Sequence, residues 1–178
     1  MYRATWWAAT GATFCRRTAS HLKRTKGIDV VIANGENSSD GNGITPASAN
    51  HLLDSGVDII TTGNHTYRRR EFYDYIDESD CVIRPANFPP EPRVKGMTVL
   101  DLGRTQIAVI NLMGNVYLDE HLACPFRTLD TLLKRPTFRN LHRGFSRGSH
   151  RRKARIRLLC RRPRLRCVRH AHTRADGR

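Results

Sequence analysis

Short β-branched runs alternate along this chain with segments whose apolar residues have helical spacing. Residues 28–33 and 57–62 each predict a buried strand, and each run is followed within two residues by a glycine. Between these two strands, Thr45 and Pro46 predict a helix start, with an N-cap followed by proline at the first helical position, and Gly56 predicts its end. Alternating strands and helices predict an α/β fold with a mostly parallel sheet.

The pattern continues downstream and then stops. Further elements are predicted as a surface helix and three strands, at residues 68–77, 81–84, 97–102 and 105–112. The last two strands flank Gly103 and Arg104, which is typical of a hairpin or of neighbouring strands. Residues 1–20 show no strand or helix register, and residues 135–178 show no period of 2 or 3.6. We therefore expect the folded core to come from residues 21–134.

Charge divides the chain at the same place. Residues 135–178 hold fifteen Arg and one Lys against one acidic residue, which accounts for the whole net charge of +15. Residues 1–134 carry equal numbers of acidic and basic side chains, an ordinary balance for a globular domain. With few apolar residues, the Arg-rich segment is predicted to be a disordered basic tail. The expected segments are an atypical one (1–20), a folded domain (21–134) and the tail (135–178).

Cysteine content and hydropathy restrict the cellular setting. The five cysteines are odd in number, scattered, and never spaced as C-x-x-C, so we expect reduced thiols. No run of about eighteen apolar residues predicts a membrane span. The first residues lack the basic and apolar regions of a signal peptide, which predicts a cytoplasmic location.

Polar side chains follow both predicted strands at their carboxyl ends. Glu36 and Asn37 come after the first strand, and Asn64 and His65 after the second. The carboxyl ends of parallel strands meet at one edge of the sheet, so we expect these side chains to share a metal site. Taken singly, such a glutamate is more often a solvated loop carboxylate, and such an Asn-His pair is more often a turn.

Several motifs occur in one unbroken order between about residues 21 and 134. They are Ile-Ala-Asn-Gly-Glu-Asn at 32–37, Gly-Ile-Thr at 43–45, Thr-Thr-Gly-Asn-His at 61–65, Arg-Pro-Ala-Asn-Phe at 84–88, Ile-Asn-Leu-Met-Gly at 110–114 and Pro-Phe-Arg at 125–127. In these motifs the chain resembles the bacterial 2′,3′-cyclic-nucleotide 2′-phosphodiesterases, a family of calcineurin-like dinuclear metallophosphoesterases. That many ordered blocks are far more specific than one glycine-rich loop.

The resemblance implies a calcineurin-like sheet layered with helices, a phosphodiester substrate and two divalent metal ions (Mn, Fe or Mg). It implies that Glu36 bridges the two metals, that Asn37 is a neutral ligand or substrate contact, and that Asn64 binds the second metal. It also implies that His65 is the general acid. Two metals can supply a hydroxide and neutralise phosphoryl charge, and an adjacent imidazole can protonate the departing ribose oxygen.

Glycines and asparagines complete the expected site. Gly35 and Gly63 are predicted to leave room for metal and phosphate near the backbone. Asn87 and Asn111 are predicted to have structural or substrate-shaping roles.

Three motifs of the resembled family are absent from this sequence. They are Gly-Asp-x-x-Gly after the first strand, Asp-Phe-His-Ala-Glu, and Gly-Thr-His-Thr-His. Codons allowed for residues 169–178 and 141–149, read from the second nucleotide, permit the last two motifs. Codons for residues 3–8, read from the third nucleotide, permit Gly-Asp-Val-Val-Gly. We hypothesise that translation leaves the ancestral frame before about His21 and again near Arg135, which the nucleotide sequence can test.

The missing motifs have a functional consequence, and two rival hypotheses remain. One carboxylate for two dications predicts weak metal binding and loss of most activity.

A rival hypothesis is that the Arg-rich tail binds nucleic acid, including RNA without specificity, although Phe138 and Phe145 are its only aromatic residues. A third is that a domain without its first strand exposes sheet edges and aggregates.

Overall fold

A computed structural model describes residues 4–8, 12–39, 41–89, 95–103, 106–114 and 122–135. Its elements, in chain order, are β1 (Ala4–Ala8), α1 (Ala12–Lys26), β2 (Val30–Asn34), α2 (Pro46–Asp54), β3 (Ile59–Thr61), α3 (Phe72–Glu78), β4 (Val82–Ile83), β5 (Met97–Asp101), β6 (Gln106–Ile110) and α4 (Pro125–Leu133). Each element predicted within residues 21–112 is present, and most are shorter than the pattern predicted.

Four strands form a parallel sheet in the order β1-β2-β3-β4. Strands β2 and β3 pair from Ile32 opposite Ile59 to Asn34 opposite Thr61, so they end at the same level. β5 and β6 form a separate antiparallel pair, which confirms the predicted hairpin. The α/β fold with a parallel sheet is therefore confirmed, and its strand ends define one carboxyl edge.

Local signals place α2 between β2 and β3. Thr45 is the N-cap, and its hydroxyl oxygen accepts the backbone N–H of Ser48 at 3.2 Å. The Ser48 hydroxyl in turn accepts the N–H of Thr45 at 3.0 Å, which completes a capping box. Gly56 follows the helix with φ of +96°, a conformation that favours glycine. Both ends of α2 were predicted from these residues.

Each face of the sheet has its own apolar cluster. The larger cluster joins buried residues of the helices and of the sheet: Ala19, Val31, Ala33, Ile44, Ala49, Leu52, Val57, Ile60, Phe72, Ile76 and Val82. The smaller one joins Ile59 and Ile83 to Val109 of the hairpin. Because neighbouring residues of a strand face opposite ways, β3 contributes Ile60 to one cluster and Ile59 to the other. Helices therefore cover one face and the β5-β6 hairpin the other.

The first twenty residues differ from the prediction. Ala4–Ala8 pairs in parallel with β2, and a helix spans Ala12–Lys26. The sequence of residues 1–20 did not predict these elements because neither segment has a clear period. The strand at 4–8 pairs with the edge of β2, which lies elsewhere in the chain. α1 is also anchored, since Lys23 forms an ion pair with Asp58 at 2.7 Å. The predicted loss of the first strand, with its exposed edge beside β2, was wrong.

Contacts divide the chain between Asp130 and Thr131 into two units. Of the second unit, the structure describes residues 131–135 only, so the basic tail predicted at 135–178 lies outside the described residues apart from Arg135. The domain boundaries at 20 and 134 stay predictions. In the described part of the chain, no helix is long and apolar enough to cross a bilayer.

Candidate functional site

The carboxyl ends of β2 and β3 bring two of the predicted site residues into contact. The Gly35 N–H donates to the Thr61 carbonyl at 2.9 Å, so the chains stay paired beyond the end of β2. Glu36 follows directly, and its Oε1 accepts the backbone N–H of His65 at 3.4 Å. Although 29 residues separate them, Glu36 and His65 meet at one edge of the sheet, as the strand pattern predicted.

The Glu36 carboxylate lies on the backbone of Gly63. A Cβ at position 63 would be 2.3 Å from Oε2 and 2.5 Å from Oε1 of this carboxylate, so a side chain there would require the carboxylate to move. Glu36 is only 5% exposed. Glu36 is therefore not a solvated loop carboxylate.

The turn that follows β3 is held by buried threonines. The Thr66 hydroxyl lies 2.7 Å from the Thr62 hydroxyl and 2.5 Å from the Gly63 carbonyl oxygen. Thr62 and Thr66 are both buried. This network fixes the backbone between β3 and His65, and hence the position of the His65 ring.

The imidazole of His65 is oriented by Asn37. The His65 Nδ1 lies 2.8 Å from the Asn37 side-chain oxygen and 4.0 Å from Glu36 Oε1. An amide oxygen only accepts hydrogen bonds, so with this Asn37 orientation Nδ1 carries the proton. Nε2 is then the ring nitrogen that is left to exchange a proton with a ligand.

Asn64 lies between the two residues that contact the carboxylate. It is partly buried, and its backbone belongs to the same turn as Gly63 and His65. The structure therefore brings Glu36, Asn37, Asn64 and His65 into one region. The proposed metal-ligand roles of the first three, and the catalytic role of His65, stay predictions.

The described residues do not by themselves fit a dinuclear metal centre. Within residues 4–135, apart from the gaps in the description, no group of three or more His, Cys, Asp or Glu side chains is placed to hold a metal ion. Glu36 is the buried carboxylate of the site, and the Asn37 oxygen already faces His65 Nδ1. Tight binding of two dications requires more anionic ligands than these.

Protein atoms fill the space beside Gly35 and Gly63, which were predicted to leave room for a ligand. At Gly35, a Cβ would be 2.7 Å from Ile60 Cγ2 and 2.9 Å from Ile44 Cδ1. At Gly63 the nearest atoms belong to the Glu36 carboxylate. The prediction that these glycines make room for a ligand was wrong, because core side chains and the carboxylate use that room.

Asn87 and Asn111 have structural roles that their motifs left open. The buried Asn87 amide donates to the Met113 carbonyl at 2.8 Å and accepts the Met113 N–H at 3.0 Å. The Asn111 amide donates to the carbonyl of Thr62 at 2.7 Å and to that of Ile83 at 3.2 Å. Asn111, which directly follows β6, thus ties the end of the hairpin to the ends of β3 and β4. No local sequence signal predicts these long-range partners.

Similar proteins place this fold among phosphoesterases. The chain is 42% identical over 103 residues to the 2′,3′-cyclic-nucleotide 2′-phosphodiesterase of Bacillus subtilis, which covers 58% of this chain and 39% of that protein. A solved Thermus thermophilus protein matches 74% of this chain and 52% of its own, with 34% identity and a TM-score of 0.67. A solved Mycoplasma pneumoniae phosphatase matches 74% of this chain and 50% of its own, with 25% identity and a TM-score of 0.66.

Residues 7–142 match the YmdB-like protein family, and the chain belongs to this family. The family assignment agrees with the resemblance carried by the ordered motifs. The chain spans between about two fifths and about half the length of the relatives described above.

Proposed function

We propose that this chain retains part of a phosphodiesterase site, with 2′,3′-cyclic nucleotides or related phosphodiesters as its substrate class and His65 as its general acid. The observation that carries the proposal is the contact of the buried Glu36 carboxylate with Gly63 and His65. The names of the Bacillus and Mycoplasma relatives support the reaction class.

His65 would act through Nε2. Hydrolysis joins a water oxygen to phosphorus and breaks the bond from phosphorus to a ribose oxygen, which must take up a proton. The Asn37 oxygen accepts from Nδ1–H, so the doubly protonated ring would deliver the proton from Nε2–H and become the neutral Nδ1–H tautomer. General acids of this kind typically contribute about 10²–10⁴-fold to the rate.

The metal-dependent part of hydrolysis is expected to be slow in this chain. In dinuclear phosphoesterases the metal pair, when bound, supplies a hydroxide and neutralises phosphoryl charge. Glu36, Asn37 and Asn64 are the proposed ligands for Mn, Fe or Mg, and the sequence lacks the family's further Asp and His motifs. We therefore propose that hydrolysis by this chain is strongly reduced compared with family members that carry those motifs.

A rate comparison tests the role of His65. Hydrolysis of a 2′,3′-cyclic nucleotide in the presence of Mn²⁺ is measured for the wild type, for His65→Gln and for His21→Gln, which alters an exposed residue of α1. We expect slow turnover in the wild type, a loss of about 10²-fold or more in H65Q, and no change in H21Q. Equal rates in wild type and H65Q, including no catalysis in either, would contradict the proposal.

Nucleic-acid binding by the Arg-rich tail is the second candidate function. Sixteen basic residues within 135–178 favour it, and they lie outside the described residues except for Arg135. Binding through such a segment would weaken steeply with salt. It stays a prediction beside the phosphodiesterase proposal.

A further inference from the structure

Arg84 is a buried cation at the carboxyl end of β4. It is only 5% exposed, and its Nε has no hydrogen-bond partner among the residues that the structure describes. Arg84 takes no part in the ion pairs Lys23–Asp58, His65–Glu36 and Lys95–Asp80. Burial of a charged group without a partner is costly, and buried charges are normally paired, so an unpaired one calls for an explanation.

Phe88 stabilises the charge of Arg84 through its ring and accepts no conventional hydrogen bond from the guanidinium. The guanidinium carbon lies 5.9 Å from the centre of the Phe88 ring. An aromatic face attracts a cation, but it leaves the in-plane N–H donors of the guanidinium free. The backbone N–H of Arg84 donates to the Lys95 carbonyl at 3.1 Å, which fixes the main chain at this position. The Arg84 Nε–H is thus a fixed donor without an acceptor among the described residues.

Arg84 lies at the same edge of the sheet as the candidate site. The Thr62 N–H donates to the Ile83 carbonyl at 3.0 Å, which keeps the chain after β3 paired with the chain after β4. Arg84 directly follows Ile83, and Gly63 directly follows Thr62. The edge therefore presents Glu36, the His65 turn and Arg84 on three successive strands, where α/β sheets bind their ligands.

We propose that Arg84 binds a phosphoryl oxygen of the ligand at this edge. A guanidinium offers planar paired donors that match phosphate geometry, and a partly desolvated one binds an anion more strongly than a surface cation does. The identity of the ligand as a phosphodiester rests on the proposed function. The anion site itself does not, because it depends only on the unpaired Nε and the burial of Arg84.

Thermal unfolding with inorganic phosphate tests this proposal. Wild type, Arg84→Met and Arg70→Met are compared in phosphate and in chloride at equal ionic strength. Methionine keeps an unbranched side chain of similar length against Phe88, and Arg70 is an exposed control that also removes one charge. All three proteins carry the same basic tail, so phosphate bound by the tail cancels in the comparison.

We expect phosphate to raise the Tm of wild type and R70M and to raise that of R84M clearly less. We also expect R84M in chloride to be at least as stable as wild type, because an unpaired buried charge has been removed. An equal phosphate shift in wild type and R84M, or no shift in wild type, would overturn the proposal. A purely structural arginine predicts instead that R84M is less stable with an unchanged phosphate shift.

A second measurement covers the case in which R84M does not fold. The Arg84 Nε–H signal in a ¹H–¹⁵N spectrum, assigned by its loss in Arg84→Lys, is followed as phosphate is added to wild type. Movement of this signal supports the proposal, and an unmoved signal overturns it. Neither experiment uses turnover, so an inactive chain that still binds phosphate through Arg84 would count against the proposed function alone.

Discussion

The carboxylate of Glu36 rests on the α-carbon of Gly63, so closely that a Cβ at position 63 would be 2.3 Å from Oε2. The two residues belong to turns that follow neighbouring parallel strands. This contact joins the turns and holds the carboxylate next to the His65 backbone. The absence of a side chain at position 63 therefore determines where the buried charge of the site lies.

Gly63→Ala should displace the Glu36 carboxylate. The added methyl group cannot be accommodated without movement of the carboxylate or of the turn, and such overpacking typically costs about 1–3 kcal/mol. Chemical unfolding measures the loss. Gly114→Ala is the control, because no atom of the described residues lies within 4 Å of its Cβ position. Equal stability of G63A and G114A would contradict the described contact.

Asn37→Ala should change the tautomer of His65. In the wild type the amide oxygen accepts from Nδ1 at 2.8 Å, so the neutral ring carries its proton on Nδ1. Long-range ¹H–¹⁵N spectra distinguish the two tautomers. We expect the Nδ1–H form in wild type and a shift toward the Nε2–H form in N37A. An Nε2–H ring in the wild type would show that Asn37 does not orient His65 in this way.

Asn111→Ala should destabilise the fold without touching the candidate ligands. The variant removes the donor that serves the Thr62 carbonyl at 2.7 Å, whereas the Ile83 carbonyl keeps the Thr62 N–H, and an unpaired buried group typically costs about 1–3 kcal/mol. Asn50→Ala serves as a control, since Asn50 is exposed and accepts only from the Tyr75 hydroxyl. The free energy of unfolding should fall markedly more in N111A than in N50A, and the reverse order would refute the assigned role.

Cys124 should be the more reactive of the two described free cysteines. The backbone N–H groups of Arg127 and Phe126, at the start of α4, lower the pKa of the exposed Cys124 thiol below its ordinary value. A lowered pKa means more thiolate at neutral pH, and the thiolate is the nucleophile. Alkylation followed by peptide mapping across pH should show Cys124 modified before the partly buried Cys81. A Cys124 rate that rises only near the ordinary thiol pKa would contradict this.

The parts of the fold that local chemistry determines were predictable from sequence. Thr45 and Gly56 mark the ends of α2 because a cap and a positive φ are properties of single residues. Polar residues at strand ends indicated that Glu36 and His65 would meet, since parallel strands end at one edge.

Features that depend on distant parts of the chain were not predictable. The strand at Ala4–Ala8 forms because β2 offers a partner, which pattern within the first twenty residues does not record. Gly35 is required by Ile60 and Ile44, and its motif gave no sign of that. That the Arg84 Nε has no hydrogen-bond partner among the described residues is likewise visible only once its neighbours are placed.

We propose that this chain keeps a phosphoester site with too few ligands for a dinuclear metal centre. Metal content after purification in Mn²⁺ and gel filtration, measured by mass spectrometry on protein of known concentration, tests it most directly. We expect less than one metal ion per chain, because Glu36 is the one buried carboxylate among the described site residues. Two retained ions per chain would contradict it.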